Sequence, residues 1–189
     1  MTTEAGHDHI HVIEPKIILP DSLHGFITDA RRNTWASENP PIEVPGRFGL
    51  NRYEYHEPGS NLFYEDEFRA DPEIPGVVSG TETAKILGRR RRILVTYGYS
   101  GETTQRGIEI GEDVVFKQLQ YFLREYADKA RFGTTLDVEH RDQGKWTYLA
   151  FGITNRNTWN DRELLRYEGE TVHIFNGTGA LFYPHPTNQ

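Results

Sequence analysis

From Pro20 onward the apolar positions first recur every three to four residues. Leu23, Phe26, Ile27 and Ala30 fall on one side of a helix that Asp21 or Ser22 can cap and that ends near Asn33. Residues 37–49 hold Pro40, Pro41, Pro45, Gly46 and Gly49, and read as loop. The period then drops to two. Residues 52–57 alternate, with Tyr53 and Tyr55 on one face; Pro58-Gly59-Ser60-Asn61 turns the chain and residues 62–69 return as the second arm of a hairpin. After a loop with Pro72, Pro75 and Gly76, the runs 77–87 and 90–99 flank Gly88-Arg89 and predict a second hairpin.

The same order follows in the second half. Glu112 or Asp113 starts a long helix in which Val115, Phe116, Leu119, Phe122, Leu123, Tyr126, Ala127 and Ala130 form a broad apolar stripe, with Gly133 as its cap. A hairpin is predicted over 136–141 and 145–153, turning at Asp142-Gln143-Gly144. A polar loop over 154–161 leads to strands at 163–167 and 170–175, with Gly177-Thr178-Gly179 breaking the chain before a short apolar end at 180–183. Glu82 stands six residues before Gly88, and Glu163 six before Gly169, each in an apolar strand context. This predicts an α+β fold: a tandem duplication of a helix plus four antiparallel strands, halves at about 21–101 and 112–182, forming a curved sheet or barrel-like core with a shared interior. Phe26, Leu119, Phe122 and Leu123 should be buried against sheet. Residues 1–20 are expected to be a mobile or loosely docked arm and 21–189 a single domain.

Composition narrows the function classes. The 189 residues include no cysteine, which excludes Cys-ligated zinc, iron–sulfur clusters and a thiol nucleophile. A net charge of −7 opposes non-specific binding to nucleic acid. The apolar runs are far too short for a span of about 20 residues, so no membrane partner is expected, and the cytoplasm is the default compartment. Ten Tyr and ten Phe against one Met favour strands and supply hydroxyls for a polar cavity. The oligomeric state is open.

Interior carboxylates carry the sharpest chemical signal. In residues 64–68, Tyr64, Asp66 and Phe68 share a face whose aromatics point inward, taking Asp66 with them; in residues 80–86, Glu82 shares a face with Ala84 and Ile86. A buried carboxylate is costly unless paired or neutral. Two on adjoining strands fit acid–base catalysis with separated pKa values, or a satisfied structural network. Glu82 is the expected general base or acid and Asp66 its partner, with Tyr64 and Tyr97 orienting a ligand. Arg131, read at the last turn of the long helix, either caps that helix or delivers a guanidinium to the cavity mouth for an anionic group. His7, His9 and His11 alternate in the arm and could bind metal adventitiously, but no metal or other cofactor is expected in the core. The arginines at 89–92 read as a solvated hairpin tip.

The series Phe26-Ile27, Ala30, Asn33-Thr34-Trp35-Ala36, Tyr64-x-Asp66-x-Phe68, Gly80-x-Glu82, Tyr97-Gly98, Arg131-Phe132-Gly133 and Gly177-x-Gly179 resembles a bacterial family catalogued as a domain of unknown function, often found behind a helix-turn-helix head. The likeness covers roughly residues 21–182. Val95-Thr96 stands where that family tends to carry a Trp before the Tyr-Gly, and no such head is read here. The resemblance implies the fold and supplies no chemistry. Two functions remain: a cofactor-independent enzyme acting on a small polar or anionic molecule by carboxylate acid–base chemistry in an aromatic-lined cavity, of isomerase, lyase, cyclase or hydrolase type, and a non-catalytic small-molecule-binding or sensor domain.

Overall fold

The computed structural model describes residues 10–13, 20–37, 43–46, 49–88, 92–140, 144–155 and 157–182. The elements in chain order are β1 (Ile10–Ile13), α1 (Asp21–Asn33), β2 (Val44–Pro45), β3 (Asn51–His56), β4 (Leu62–Ala70), β5 (Val78–Ile86), β6 (Arg92–Thr103), α2 (Gln105–Ile110), α3 (Glu112–Glu125), β7 (Thr135–His140), β8 (Trp146–Asn155), β9 (Thr158–Tyr167) and β10 (Glu170–Leu181). All ten strands join one antiparallel sheet in the order β1-β7-β8-β9-β10-β6-β5-β4-β3-β2. The sheet is open: β1 and β2 are its two edges, so it is not a closed barrel.

Each half is a meander, β3 to β6 and β7 to β10, and the last strands of the two meanders, β6 and β10, pair at the centre. The apolar stripe of α1 packs Leu23, Phe26, Ile27 and Ala30 against Tyr64, Ala84, Val95 and Tyr97. The stripe of α3 packs Val115, Leu119, Phe122 and Leu123 against Leu136, Val138, Tyr148 and Leu165. Burial of these side chains, worth about 1.5–3 kcal/mol each for a fully buried large apolar residue, is what holds both helices to the sheet.

Several expected boundaries move. Residues 10–13, inside the stretch read as a mobile or loosely docked arm, form β1 and pair with β7, His11 opposite Asp137; His7 and His9 lie outside the described residues, as do the arginines at 89–91. The long helix stops at Glu125 and gives way to turns through Gly133, where Asp161 Oδ1 accepts from the Gly133 N–H at 2.9 Å. Much of the predicted polar loop at 154–161 is strand, because β8 and β9 run on to Asn155 and from Thr158. The glycines at 177 and 179 do not break β10, because both pair with β6 on one side and β9 on the other; a side chain at either would meet the Tyr97 ring or the Trp159 indole. A short helix, α2, with Thr104 capping Gly107 N–H, was not foreseen. Among the described residues no helix is long and apolar enough to cross a membrane.

Gly152 marks the tightest backbone approach, since an added Cβ would collide with the Gly133 carbonyl. Gly152→Ala is therefore expected to cost about 3 kcal/mol or more by pushing apart two backbones that cannot both yield. Gly88→Ala, with open space around it, should change stability by under about 0.5 kcal/mol. Denaturant midpoints of both variants check this; equal midpoints would refute the packing account.

Candidate functional site

Between the helices and the sheet runs a chain of four buried charges of alternating sign. Arg31, from the last turn of α1, sets Nε and Nη2 on Glu82 Oε2, each at 2.8 Å, and donates Nη1 to the Ala130 carbonyl at 2.9 Å. Arg131 donates Nη1 to Glu82 Oε1 at 3.2 Å and Nε to Glu163 Oε1 at 3.1 Å. All four side chains are at most 4 % exposed. Aromatic rings complete the desolvated surroundings: the Arg131 guanidinium lies 3.8 Å from the Phe175 ring centroid and 4.6 Å from that of Trp35, and that of Arg31 lies 4.6 Å from that of Phe132. Burial works against both guanidinium charges, yet Glu82 for Arg31, and Glu163 and Glu82 for Arg131, hold their pKa values above the ordinary range.

Local structure explains how Arg131 reaches this position. It lies after α3, not within its last turn, and adopts φ 63°. Its carbonyl accepts from Trp159 Nε1 at 3.1 Å, so β9 grips the turn through Trp159 and Asp161.

A cavity of about 180 Å³ opens beside Arg131. Trp35, Phe68, Tyr99, Phe116 and Phe175 give it an aromatic wall, while Asp66, Arg131 and His173 bring polar groups to it. Asp66 is 1 % exposed and sits directly across the β4–β5 ladder from Glu82. Burial, then the neighbouring Glu82, push its carboxyl up to about 7, against the Tyr99 hydroxyl that donates to Oδ1 at 2.8 Å. Oδ2 has no hydrogen-bond partner among the described residues, and neither does Arg131 Nη2. His173 holds Nδ1 3.2 Å from Thr103 Oγ1, while its buried Nε2 has no partner. Burial, then Arg131, lower this imidazole to about 4, so it is neutral at pH 7.

Of the residues singled out from sequence, Asp66 and Arg131 line the cavity. Glu82, Tyr64 and Tyr97 are buried behind it, with both Glu82 oxygens engaged by guanidinium groups. Burial, then nearby carboxylates, raise the Tyr64 and Tyr97 hydroxyls well above 10. Tyr97 leans toward Asp161 and Tyr148 toward Glu163, but Tyr97 Oη, Asp161 Oδ2, Tyr148 Oη and Glu163 Oε2 complete no hydrogen bond of full geometry. The sequence reading missed Arg31, Tyr99, Phe175 and His173. A signal existed for each: Arg31 stands one helical turn after Ile27, Tyr99 shares a strand face with Tyr97, and Phe175 and His173 share a face of β10. Among the described residues no group of three or more His, Asp or Glu is disposed to hold a metal ion.

Asp161 mirrors Asp66 electrostatically, raised to about 7 by burial and then by Glu163. These two carboxyls keep in the native state protons that the unfolded chain releases near 3.8. Their contribution to stability is therefore fullest below about 4, falls as pH rises to about 7 and is flat above, with a slope near 1.4 kcal/mol per pH unit per group. His173 has the opposite sign, its contribution being lost as pH falls from 6.5 to about 4. Asp66→Asn and Asp161→Asn keep the acceptor oxygen and remove the titration. Each should gain stability over the parent protein at pH 8 relative to pH 4, as read by denaturant midpoints; a constant difference at both pH values would refute neutral carboxyls.

Compared with models of known protein families, with curated proteins and with solved structures, the chain matches none.

Proposed function

We propose that the cavity binds a small polar or anionic molecule and that Asp66 exchanges a proton with it, in a cofactor-independent reaction of isomerase, lyase, cyclase or hydrolase type. One observation carries this reading: a carboxyl brought to about 7, with its free oxygen at an aromatic cavity beside a guanidinium. A general acid works best with a pKa near the working pH, and Asp66 is the cavity-lining group placed there. Because Tyr99 donates to Oδ1, the proton resides on Oδ2. It is the donor offered to a ligand oxygen or nitrogen, with Arg131 Nη2 as the second. As charge grows on the ligand atom, Asp66 gives up this proton; Tyr99 and the two arginines stabilise the carboxylate that remains, and the proton returns on product formation. His173, neutral and near 4, is a poor base and a better hydrogen-bonding partner that fixes ligand orientation. Glu82 takes a different part from the one expected of it: saturated by two guanidinium groups, it positions Arg31 and Arg131 and raises Asp66.

The second reading, binding without turnover, is favoured by the same saturation, since Asp66 would be the one proton-exchanging group at the cavity.

We also infer that the chain is a tandem duplication of a helix and four strands, akin to the bacterial family catalogued as a domain of unknown function that its short motifs resemble. The pairing registers support this. Glu82 faces Asp66 and Tyr97 as Glu163 faces Ala150 and Phe175, and Ala84 faces Tyr64 and Val95 as Leu165 faces Tyr148 and His173. At the centre, Tyr97 meets Gly179 as Phe175 meets Gly101. Each glutamate receives an arginine from the end of its own half's helical segment.

A thermal-shift screen of small metabolites at pH 7, followed by turnover assays on the hits, tests the assignment. A hit that shifts the amide resonances of Tyr99 and His173 is expected, with Asp66→Asn folded but about 10²–10⁴-fold slower. Unchanged turnover in Asp66→Asn would overturn the catalytic role, and hits that perturb only the outer sheet face around Phe151 and Ile153 would overturn the site. Binding at the cavity without turnover would select the second reading.

A further inference from the structure

Resting on the reading of the cavity as the ligand site, we propose that Val78 sets the size of the ligand, and that the molecule admitted is a flat single-ring compound carrying an oxygen for Asp66 and Arg131. The argument comes from comparing the two meanders position by position. Val78 on β5 lies opposite Gly101 of β6, as Trp159 on β9 lies opposite Gly179 of β10. Val78 and Trp159 thus occupy matching places, one against the cavity and the other not. Around Trp159 the matching wall is small: Ala150 stands where the first half has Asp66, and Gly152 where it has Phe68. The room so left is filled. The Trp159 indole covers Gly179 and stacks on Tyr97 with centroids 6.3 Å apart, and the Gly133 backbone presses onto Gly152. In the first half the wall side chains are larger, His173 and Phe175 approach Gly101 where the indole covers Gly179, the position of the tryptophan is held by a valine, and about 180 Å³ stays open.

Shape and charge define the occupant. Two near-parallel ring pairs, Tyr53 on Phe68 and Tyr99 on Phe175, each with centroids 5.2 Å apart and planes 23° from parallel, give the walls flat faces. A cavity of about 150 Å³ holds one benzene ring, so this one takes a single ring with a short substituent. Arg31 and Arg131 are balanced by Glu82 and Glu163, so the buried groups call for no net ligand charge. Asp66 Oδ2 and Arg131 Nη2 then offer donors to a carbonyl-type oxygen.

The test uses the full chain with benzamide as the single-ring probe and 2-naphthamide as the fused two-ring probe, read by amide shifts of Tyr99 and His173 and by titrated affinity. The parent protein should bind benzamide and exclude 2-naphthamide. Val78→Trp should weaken benzamide at least about tenfold, and Val78→Ala should admit 2-naphthamide. If Val78→Trp fails to fold, the Val78→Ala arm decides. Benzamide binding by the parent protein that Val78→Trp leaves intact, or 2-naphthamide excluded equally by Val78→Ala, would overturn the role of Val78 and leave the site standing. Equal binding of both probes by the parent protein would overturn the size limit. If neither probe shifts the cavity resonances while a metabolite hit does, the single-ring class fails alone; if no compound reaches the cavity, the site and this inference fail together.

Discussion

The arrangement of this protein turns on the alternating chain Arg31, Glu82, Arg131, Glu163 in its interior. Burying one such ion without a partner costs several kcal/mol, and a buried pair only roughly balances desolvation against attraction. The chain is therefore not a reservoir of stability so much as a constraint: each member is tolerable only where its neighbours stand. That requirement fixes the end of α1 over β5 and the turn after α3 over both β5 and β9. It joins what the apolar clusters leave separate, because α1 packs mainly on the first meander and α3 on the second.

The same balance pushes two further carboxyls up to about 7. Asp66 lies across the ladder from Glu82, and Asp161 lies two residues before Glu163 on β9. With the guanidinium groups already matched one to one by glutamates, a third or fourth carboxylate would be an uncompensated buried charge. The two acids then have different fates. Asp161 spends Oδ1 on the Gly133 N–H and holds a turn. Asp66 accepts from Tyr99 and turns its other oxygen to open space. Both carboxyls are raised by burial and a neighbouring glutamate, one where it holds a turn and the other where it lines the cavity.

How much of this was legible in the sequence differs by level. Period-two alternation placed Tyr64, Asp66 and Glu82 inward on adjoining strands, but that Asp66 stands directly opposite Glu82 follows from the β4–β5 register across the loop at 71–77, which the turn signals did not specify. The bounds of helix α1 were legible, since Pro20 and the apolar spacing delimit it, but neither Asp21 nor Ser22 caps it: the helix begins at Asp21 with Pro20 at the cap position and no side-chain cap bond. Partners were not legible. Arg31 reads as one of two basic residues in a last helical turn, and only the tertiary path of α1 over β5 reveals that it is buried on Glu82. The strands at 158–161 were read as loop because Asn160 and Asp161 are poor strand formers, and the ladder with β8 and β10 outweighs that preference. Gly177 and Gly179 carried a breaker signal whose physical meaning is close approach by Tyr97 and Trp159, a fact about residues far away in sequence. The cavity lining was legible only in part: Asp66 and Arg131 were singled out, while Trp35, Tyr99, His173 and Phe175 come together from segments far apart in sequence.

The cavity also belongs to neither meander alone. Asp66, Phe68, Val78 and Tyr99 come from the first, His173 and Phe175 from the second, and Arg131 from the turn that leads into the second. The β6–β10 seam sets these groups side by side, and the clamp on that turn is made by Trp159 and Asp161 on β9. The second meander thus supplies the rigid support for a guanidinium that lines the cavity. Trp159, packed on Gly179 and bonded through Nε1 to the Arg131 carbonyl, holds the Arg131 backbone in a left-handed conformation that a non-glycine residue keeps only when its surroundings over-determine it.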